Sequence, residues 1–500
     1  MEYLVPLLSR CGCSIPLGFL ATRPITSPRT TCLLRRAQGF AVRRRLGSFM
    51  VTSSPSSLLI FHRHGDRSPL KGHTPDEKLD PATGGSGAVG DADGDVARDG
   101  DGGTPSSEVT EKGVDASTNK NTAEAFWRGQ LVEPEVIRRL DQLYPVRCSP
   151  GEPPPPDEES APFGCLTSLG LQQLRERGER FRRQYSVDDM DTGRVAMFST
   201  NYRRTQLSAQ GFLDGFLGGR GGVPVFVRPR GKDFLNRWES PGSGMYERMM
   251  ELECDADFGK TEEAVGGPLK RKLHALDPAL FPLPPGGRFR QVWMMAADYF
   301  MSARARGLRI SPELDALGTA TIRHLTWRFS RFYRDDEMIR SMAGPLLGHV
   351  LQCATDTDAA LEKDSTSTAC AGASASIAPG NGSGTERRDG RLSRVVCSSC
   401  HDVTILALLY ALDAHLIKDE DYWPAYGSTI AFAISRSREG GQDEGEKMKK
   451  GGDIVMNISV DGGPLRSRLF GEEEGADAAA GAVSLSDFRA AVKMLLPPSS

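Results

Sequence analysis

A short apolar run that leads into a densely charged loop is the feature that most constrains this chain. Residues Ser57–Phe61 read SLLIF, which is typical of a buried strand, and Arg63–Pro69, with the sequence RHGDRSP, follows almost directly. The loop places two guanidinium groups beside one imidazole. Arginine suits a phosphoryl group because its planar side chain donates several hydrogen bonds, and glycine lets the backbone approach a ligand. The composition indicates an anion site, with a surface loop of Arg and His as the alternative.

Further apolar runs alternate with helical patterns along the chain. Val195–Phe198 and Arg394–Cys397 read as buried strands, and Ser428–Ile434 and Ile454–Val460 as alternating ones. Helices are predicted between them, including one capped by Thr167 and others at Glu124–Leu143, Ser199–Leu217, Val292–Arg304, Thr319–Arg331, Ile405–Leu416 and Ser486–Leu496. This order predicts a layered α/β core whose central sheet is mainly parallel and is flanked by helices.

Three segments are predicted to lie outside the folded core: the first is Arg-rich and almost free of acidic residues, and the other two contain few large apolar residues. Residues 1–50 are predicted to be a disordered leader or a transit peptide, and residues 82–121 and 354–391 to be disordered insertions rich in Gly, Ser, Asp or Ala. The rest, 51–500, is predicted to form one folded domain that includes a smaller helical cap at about 232–334.

The leader bears on localisation. Glu2 is its only acidic residue, whereas arginines are interleaved with Ser and Thr, a composition typical of mitochondrial or other organellar transit peptides. A disordered leader on a cytoplasmic protein is the alternative, and Met50, directly before the first strand, is a second candidate start. The ten cysteines show no regular framework, which favours a reduced or mixed compartment.

The composition excludes some classes of partner. The net charge of -3 gives no global reason to expect nucleic-acid binding. No run of 18 or more apolar residues is present, so no transmembrane segment is predicted. We expect a small-molecule substrate, and the oligomeric state is left open.

Three segments together carry a family resemblance. The string RHGDRSP at Arg63–Pro69 resembles the signature of the histidine acid phosphatases, the second branch of the histidine phosphatase superfamily. Ser199–Ala209, STNYRRTQLSA, resembles the family's second arginine segment, in which an arginine four residues beyond the Thr of the Ser-Thr pair contacts phosphate. That position is Arg204 and not the neighbouring Arg203. Cys400–Thr404, CHDVT, is similar to the family's His-Asp motif. With the helix after Thr167 and the pair Trp423-Pro424, the resemblance is nearest to the lysophosphatidic acid phosphatase type 6 subgroup.

The resemblance implies a phosphoric monoester hydrolase that needs no metal or other cofactor. His64 would be the nucleophile that forms a phosphohistidine, and Asp402 would protonate the leaving group and later activate water. Phosphate oxygens would be bound by Arg63, Arg67, Arg204 and His401. Because the aspartic acid must be protonated in the first step, an acidic pH optimum is expected unless burial raises its pKa. The six side chains should meet at the carboxyl ends of the core strands.

The same residues are compatible with other functions. A phytase or inositol polyphosphate phosphatase of the same fold would need a basic rim, for which Lys71, Arg203, Arg228 and Arg230 are the candidates. A degenerate phosphate-binding module is the non-enzymatic alternative. Cys397–His401, CSSCH, also satisfies the pattern for covalent haem attachment, although a disulfide or two buried thiols explain the cysteines equally well.

Overall fold

The computed structural model of the chain describes most of the predicted domain. The described residues are 55–70, 124–240, 243–276, 290–308, 310–371, 392–418, 421–437, 453–470 and 482–496, with the single positions 278 and 281. The leader and the first insertion, 82–121, lie outside these residues.

One nine-stranded sheet organises the described part of the chain. The strands are β1 (Ser57–Arg63), β2 (Val146–Arg147), β3 (Val195–Ser199), β4 (Val225–Val227), β5 (Arg394–Cys400), β6 (Thr429–Arg436), β7 (Ile454–Val460), β8 (Gly463–Pro464) and β9 (Ala482–Ser484). Their order is β2-β4-β3-β5-β1-β6-β7-β8, and β9 pairs with β7. The α/β class predicted from the sequence is confirmed.

The direction of the later strands differs from the prediction of a mainly parallel sheet. β2, β4, β3, β5 and β1 are parallel, whereas β6, β7, β8 and β9 all pair antiparallel. The reason is visible at β6, whose first residue, Thr429, pairs with His62 near the end of β1. The chain therefore enters β6 from the edge at which β1 leaves the sheet. Alternation of side chains predicts a strand but not its direction.

Twelve α-helices follow a short helical stretch at residues 124–128 in the described part of the chain. They are α1 (Pro134–Leu143), α2 (Pro156–Glu159), α3 (Ser168–Tyr185), α4 (Arg203–Leu217), α5 (Met245–Glu253), α6 (Ala256–Thr261), α7 (Gly267–Leu276), α8 (Arg290–Ala305), α9 (Pro312–Tyr333), α10 (Asp336–Ala371), α11 (Asp402–Ala411) and α12 (Leu485–Val492). Thr167 caps α3 as predicted, because its side chain accepts a hydrogen bond from the Gly170 amide. None of the described helices is long and apolar enough to cross a membrane.

The two faces of β1 are buried in separate cores. Leu58 and Ile60 pack with α3 and α4, while Leu59 and Phe61 pack with residues of α8 to α11. This division follows from the two-residue period of a strand, which sends successive side chains to opposite faces. A strand buried on both faces explains why the sequence shows a continuous apolar run instead of an alternating one.

Helix α10 changes the predicted boundary of the second insertion. The insertion was expected to begin at residue 354, but α10 continues to Ala371. Residues 354–371 contain neither Gly nor Pro, so nothing in the chain stops the growth of a helix that has already formed. Residues 372–391 lie outside the described part of the chain. Helices α5 to α9 fall within the segment predicted as a cap.

Gly65 and Gly170 let the RHGDRSP loop pack directly against the start of α3. A Cβ atom on Gly170 would lie 2.0 Å from the Asp66 carbonyl oxygen, and one on Gly65 would lie 2.1 Å from the Gly170 carbonyl oxygen. Both contacts are with backbone, which cannot turn away as a flexible side chain can. The position of the loop therefore depends on two glycines that are far apart in the sequence.

Gly170→Ala is expected to destabilise the fold by about 1–3 kcal/mol or more, because the added methyl group must displace the loop backbone. Gly348→Ala is the matched control, since nothing lies within 4 Å of a Cβ atom at this position inside α10. The control should be neutral or stabilising by up to about 1 kcal/mol. Urea unfolding measures both. Equal stability of the two variants would show that the close approach is not needed.

Candidate active site

The site lies at the edge where β1, β3 and β5 end. Arg63 is the last residue of β1 and pairs with Cys400, the last residue of β5. The His64 amide then donates to the Cys400 carbonyl oxygen at 3.0 Å, so His64 and His401 leave the sheet side by side. Ligands of open α/β sheets bind at such carboxyl ends. The apolar strands thus deliver two motifs, 337 residues apart in the chain (401 − 64), to one place.

His64 is held as a neutral imidazole with a defined tautomer. Its Nδ1 lies 2.8 Å from the Gly65 carbonyl oxygen, which can only accept, so Nδ1 carries the proton and Nε2 has a free lone pair. Burial lowers the pKa of His64 well below its usual value, and the nearby Arg63, Arg204, Arg67 and His401 lower it further. His64 is therefore ready to act as a nucleophile through Nε2.

Three buried arginines surround this imidazole, each held by an acidic partner. Arg63 forms an ion pair with Asp402 at 2.8 Å, Arg67 with Asp298 at 2.7 Å and Arg204 with Asp157 at 3.3 Å. One N–H group of each guanidinium donates no hydrogen bond within the described residues, namely the Nε–H groups of Arg63, Arg67 and Arg204. Buried donors without acceptors are costly. An anion that accepts from them would be stabilised.

His401 is neutral as well. Burial, the largest cause, and the charge of Arg204 lower its pKa to about 3. Its Nε2 lies 3.1 Å from the Thr200 hydroxyl at the end of β3, and its ring packs edge-on against Tyr202 with centroids 5.3 Å apart. The centroid of the His401 ring is 5.7 Å from that of His64. A neutral imidazole at this position can donate one hydrogen bond without adding charge.

Asp402 begins α11 and is held in its ionised form. Burial raises the pKa of this carboxyl group, but Arg63, His401 and Arg67 lower it by more, so the pKa lies below its usual value. The Val403 amide donates to Oδ1 at 2.8 Å, and the Trp423 indole donates to Oδ2 at 3.3 Å. The pKa of Asp402 is thus not raised on balance by its burial, and an acidic pH optimum is still expected.

The structure distinguishes the two adjacent arginines of the second motif. Arg203 turns to Asp141 of α1, with which it forms an ion pair at 2.8 Å. Arg204 stacks on the Tyr202 ring at 4.0 Å and contributes to the lowered pKa values of both histidines. The choice of Arg204 by register agrees with this geometry, and all six residues selected from the sequence come together at the edge of the sheet.

Replacement of the two arginines should separate them functionally. We expect Arg204→Ala to lower kcat/KM for a phosphate ester roughly 100- to 1,000-fold, as removal of one transition-state donor does in other enzymes. Arg203→Ala, the matched control, should change kcat/KM by less than about threefold because a partly exposed ion pair contributes little. Steady-state kinetics on both variants measure the contrast. A larger loss for Arg203→Ala would reverse the assignment.

Several supporting residues were missed by the sequence analysis. Asp157 accepts from the backbone amides of Arg203 and Arg204 at 2.6 and 2.9 Å, so it caps α4 in place of Tyr202, whose side chain makes no cap. Asp298 of α8 accepts from Arg67 and from the Leu70 amide. Both acids lie in segments whose local patterns carry no sign of a site.

A loop that we name the support loop, Trp423–Ser428, was also missed as part of the site. The Pro424 carbonyl oxygen accepts from the Arg63 guanidinium group, which lies 4.2 Å above the centre of the Tyr426 ring. The Gly427 amide donates to the His64 carbonyl oxygen at 3.1 Å. The pair Trp423-Pro424 was noted only as part of a resemblance. No spacing rule connects it to His64.

Cys397 and Cys400 are two buried thiols. They lie three positions apart in β5, so they point to opposite faces of the sheet, and each belongs to a different hydrophobic core. Neither forms a disulfide, and burial raises the pKa of both thiols. This placement opposes the haem alternative for CSSCH, because thiols on opposite faces of a buried strand cannot attach to one porphyrin.

Comparison with known proteins supports the family at a coarse level. Residues 57–242 match the model of the histidine phosphatase superfamily (branch 2). The matched segment contains the RHGDRSP loop and Arg204, whereas His401 and Asp402 lie beyond it. The match supports the superfamily predicted from the sequence and confirms the predicted enzyme class, that of phosphoric monoester hydrolases. None of the curated proteins compared with the chain matches it.

Solved structures with a similar chain trace include phytases. A phytase from Citrobacter braakii is 16% identical with a TM-score of 0.47, over 89% of this chain and 98% of that one. A Hafnia alvei phytase in complex with myo-inositol hexakis sulphate is 12% identical with a TM-score of 0.48, over 89% and 98% of the two chains. A multiple inositol polyphosphate phosphatase from Bifidobacterium longum is 12% identical with a TM-score of 0.45, over 92% and 94%.

Proposed function

We propose that this protein is an acid phosphatase that hydrolyses phosphate monoesters through a phosphohistidine on His64, with Asp402 as the proton donor. The observation that carries the proposal is the environment of His64. Its Nε2 lone pair is free, its imidazole is neutral, and three buried arginines around it keep N–H groups without acceptors among the described residues. A phosphoryl dianion satisfies these donors and places phosphorus next to the nucleophile.

In the first step Nε2 of His64 attacks phosphorus, and the bond to the ester oxygen breaks. Arg63, Arg67 and Arg204 stabilise the charge on the non-bridging oxygens, and neutral His401 donates a further hydrogen bond. The proton of Asp402 passes to the departing alkoxide. Because the phosphate dianion compensates the charges of Arg63 and Arg67, which lower the pKa of Asp402 in the free protein, its binding should raise that pKa.

In the second step water attacks the phosphohistidine, and Asp402, now ionised, accepts its proton. The phosphorus–nitrogen bond breaks, which returns His64 to its neutral form and releases inorganic phosphate. One carboxyl group thus serves as acid and then as base. Since the first step requires protonated Asp402, kcat/KM for esters with basic leaving groups should fall as the pH rises above the pKa of this group. The optimum is therefore expected to be acidic.

For the substrate we propose a lysophospholipid such as lysophosphatidic acid. Two candidates for a basic rim are engaged elsewhere, since Arg203 pairs with Asp141 and Arg228 lies between the rings of Phe198 and Phe234. Lys71 and the side chain of Arg230 lie outside the described part of the chain. Two aromatic side chains that are only partly buried, Tyr202 and Trp423, flank His401 and Asp402 instead. These features favour an apolar leaving group over a polyanion.

A substrate panel tests the proposal. Inorganic phosphate release is measured from nitrophenyl phosphate, lysophosphatidate and phytate, with a chelator present and across the pH range. We expect the first two to be hydrolysed with an acidic optimum, and lysophosphatidate to have the higher kcat/KM of the two natural esters. Preferred hydrolysis of phytate would overturn the substrate assignment. Absence of hydrolysis of every ester would favour a phosphate-binding module.

A further inference from the structure

The carboxylate of Asp402 is fixed by donors on both oxygens. Oδ1 accepts from the Val403 amide, one of the N–H groups in the first turn of α11 that have no acceptor within the helix itself. Oδ2 accepts from the Trp423 indole at 3.3 Å and forms the ion pair with Arg63 at 2.8 Å. The rotation of a carboxylate about its last torsion is broad unless such partners select one orientation. Trp423 and Arg63 therefore decide which way Oδ2 faces.

These two partners differ in what happens when a substrate binds. Arg63 is a cation beside His64, so it turns part of its hydrogen-bonding capacity to the phosphate. The indole N–H has no such alternative: it carries no charge, it cannot accept a proton, and it cannot act as a competing acid. The Trp423 ring is also held by a residue of another element, because it packs edge-on against Phe329 of α9 with centroids 5.3 Å apart. Trp423 thus remains on Oδ2 when Arg63 engages phosphate.

We infer that Trp423 is a positioning residue that keeps the Asp402 carboxyl group turned toward the leaving-group oxygen during proton transfer. The inference rests on the proposed function, in which Asp402 is the acid. It assigns the support loop a role in the chemistry beyond packing, because its first residue acts on the acid while Pro424 and Tyr426 hold Arg63. It also links the cap to catalysis through Phe329.

The dependence on the leaving group tests this inference. The quantity is kcat/KM, which reports the steps up to formation of the phosphohistidine and leaves out its hydrolysis. In Trp423→Phe, kcat/KM for an alkyl phosphate should fall about tenfold, the effect of losing one hydrogen bond to a charged group. For nitrophenyl phosphate, whose leaving group needs no proton, it should change less than about twofold. Equal losses on both esters, or no loss, would overturn the inference.

Two further variants keep the test decisive if Trp423→Phe is poorly folded. Trp423→His retains a ring N–H at the position of the indole nitrogen, so it should restore at least part of the alkyl-ester rate. Trp238→Phe is the matched control, because this indole packs on the same Phe329 ring but donates to the Tyr333 hydroxyl. Its ratio of alkyl to nitrophenyl rates should equal that of the wild type. A changed ratio of alkyl to nitrophenyl rates in Trp238→Phe would show that the effect of Trp423→Phe arises from lost packing on Phe329.

A double-mutant cycle separates this inference from the function on which it rests. In an Asp402→Asn background, Trp423→Phe should cause no further loss on the alkyl ester, because the acid that it positions is gone. Additive losses would overturn the positioning role while leaving the phosphatase assignment intact. If the wild type releases no phosphate from either ester, the proposed function itself fails.

Discussion

Replacement of His64 by alanine is expected to abolish turnover of every phosphate ester, with a fall on the order of 10⁶, the scale seen when a nucleophile is removed from another hydrolase. The reason is geometric. Among the described residues, His401 is the other imidazole in the site, and its Nε2 already lies 3.1 Å from the Thr200 hydroxyl. Steady-state assays with nitrophenyl phosphate at high enzyme concentration measure the residual rate.

The loss in His64→Ala must be separated from unfolding. His64 is fully enclosed, and its removal leaves a small cavity beside charged groups, so some change in stability is expected. Circular dichroism and a thermal unfolding midpoint serve as controls for the fold. A folded His64→Ala variant that keeps a tenth of the wild-type rate would exclude His64 as the nucleophile.

Asp402→Asn is expected to have the second-largest effect, but only on some substrates. An alkyl phosphate expels a strongly basic alkoxide, so loss of the positioned donor should lower kcat/KM roughly 100- to 10,000-fold. A nitrophenyl ester leaves as a stabilised anion, and its kcat/KM should fall much less. Parallel assays of the two esters measure the contrast. A uniform loss on both would indicate that Asp402 acts in binding or folding.

Much of the core could be predicted because its signals are local. Continuous apolar runs marked β1, β3 and β5, and residues at or just beyond the ends of these strands, Arg63, Thr200 and His401, form part of the candidate site. Parallel strands bring their ends to one edge, so three motifs read in order along the chain imply one site. The sequence pattern predicted Arg204 and not Arg203 as the phosphate-binding residue. In the structure Arg203, the first residue of α4, pairs with Asp141 instead of facing His64.

What could not be predicted depends on contacts between distant segments. Asp157 caps α4 from the short helix α2, which follows a Pro-rich segment, and Asp298 reaches Arg67 from a helix more than 200 residues away. The residues next to Asp157 and Asp298 in the sequence give no sign that these acids are buried and not exposed to solvent. The antiparallel direction of β6 likewise follows from where the support loop returns the chain. Such choices are made by tertiary packing, which local propensity does not encode.

The central claim is a covalent phosphoenzyme on His64, and rapid-quench trapping tests it most directly. Enzyme is mixed with labelled substrate, stopped within milliseconds and assayed for bound phosphate at acid and alkaline pH. We expect an acid-labile, base-stable phosphoprotein in the wild type and in Asp402→Asn with a nitrophenyl ester, and none in His64→Ala. A phosphoprotein that persists in folded His64→Ala, or turnover that requires an added metal, would contradict the central claim.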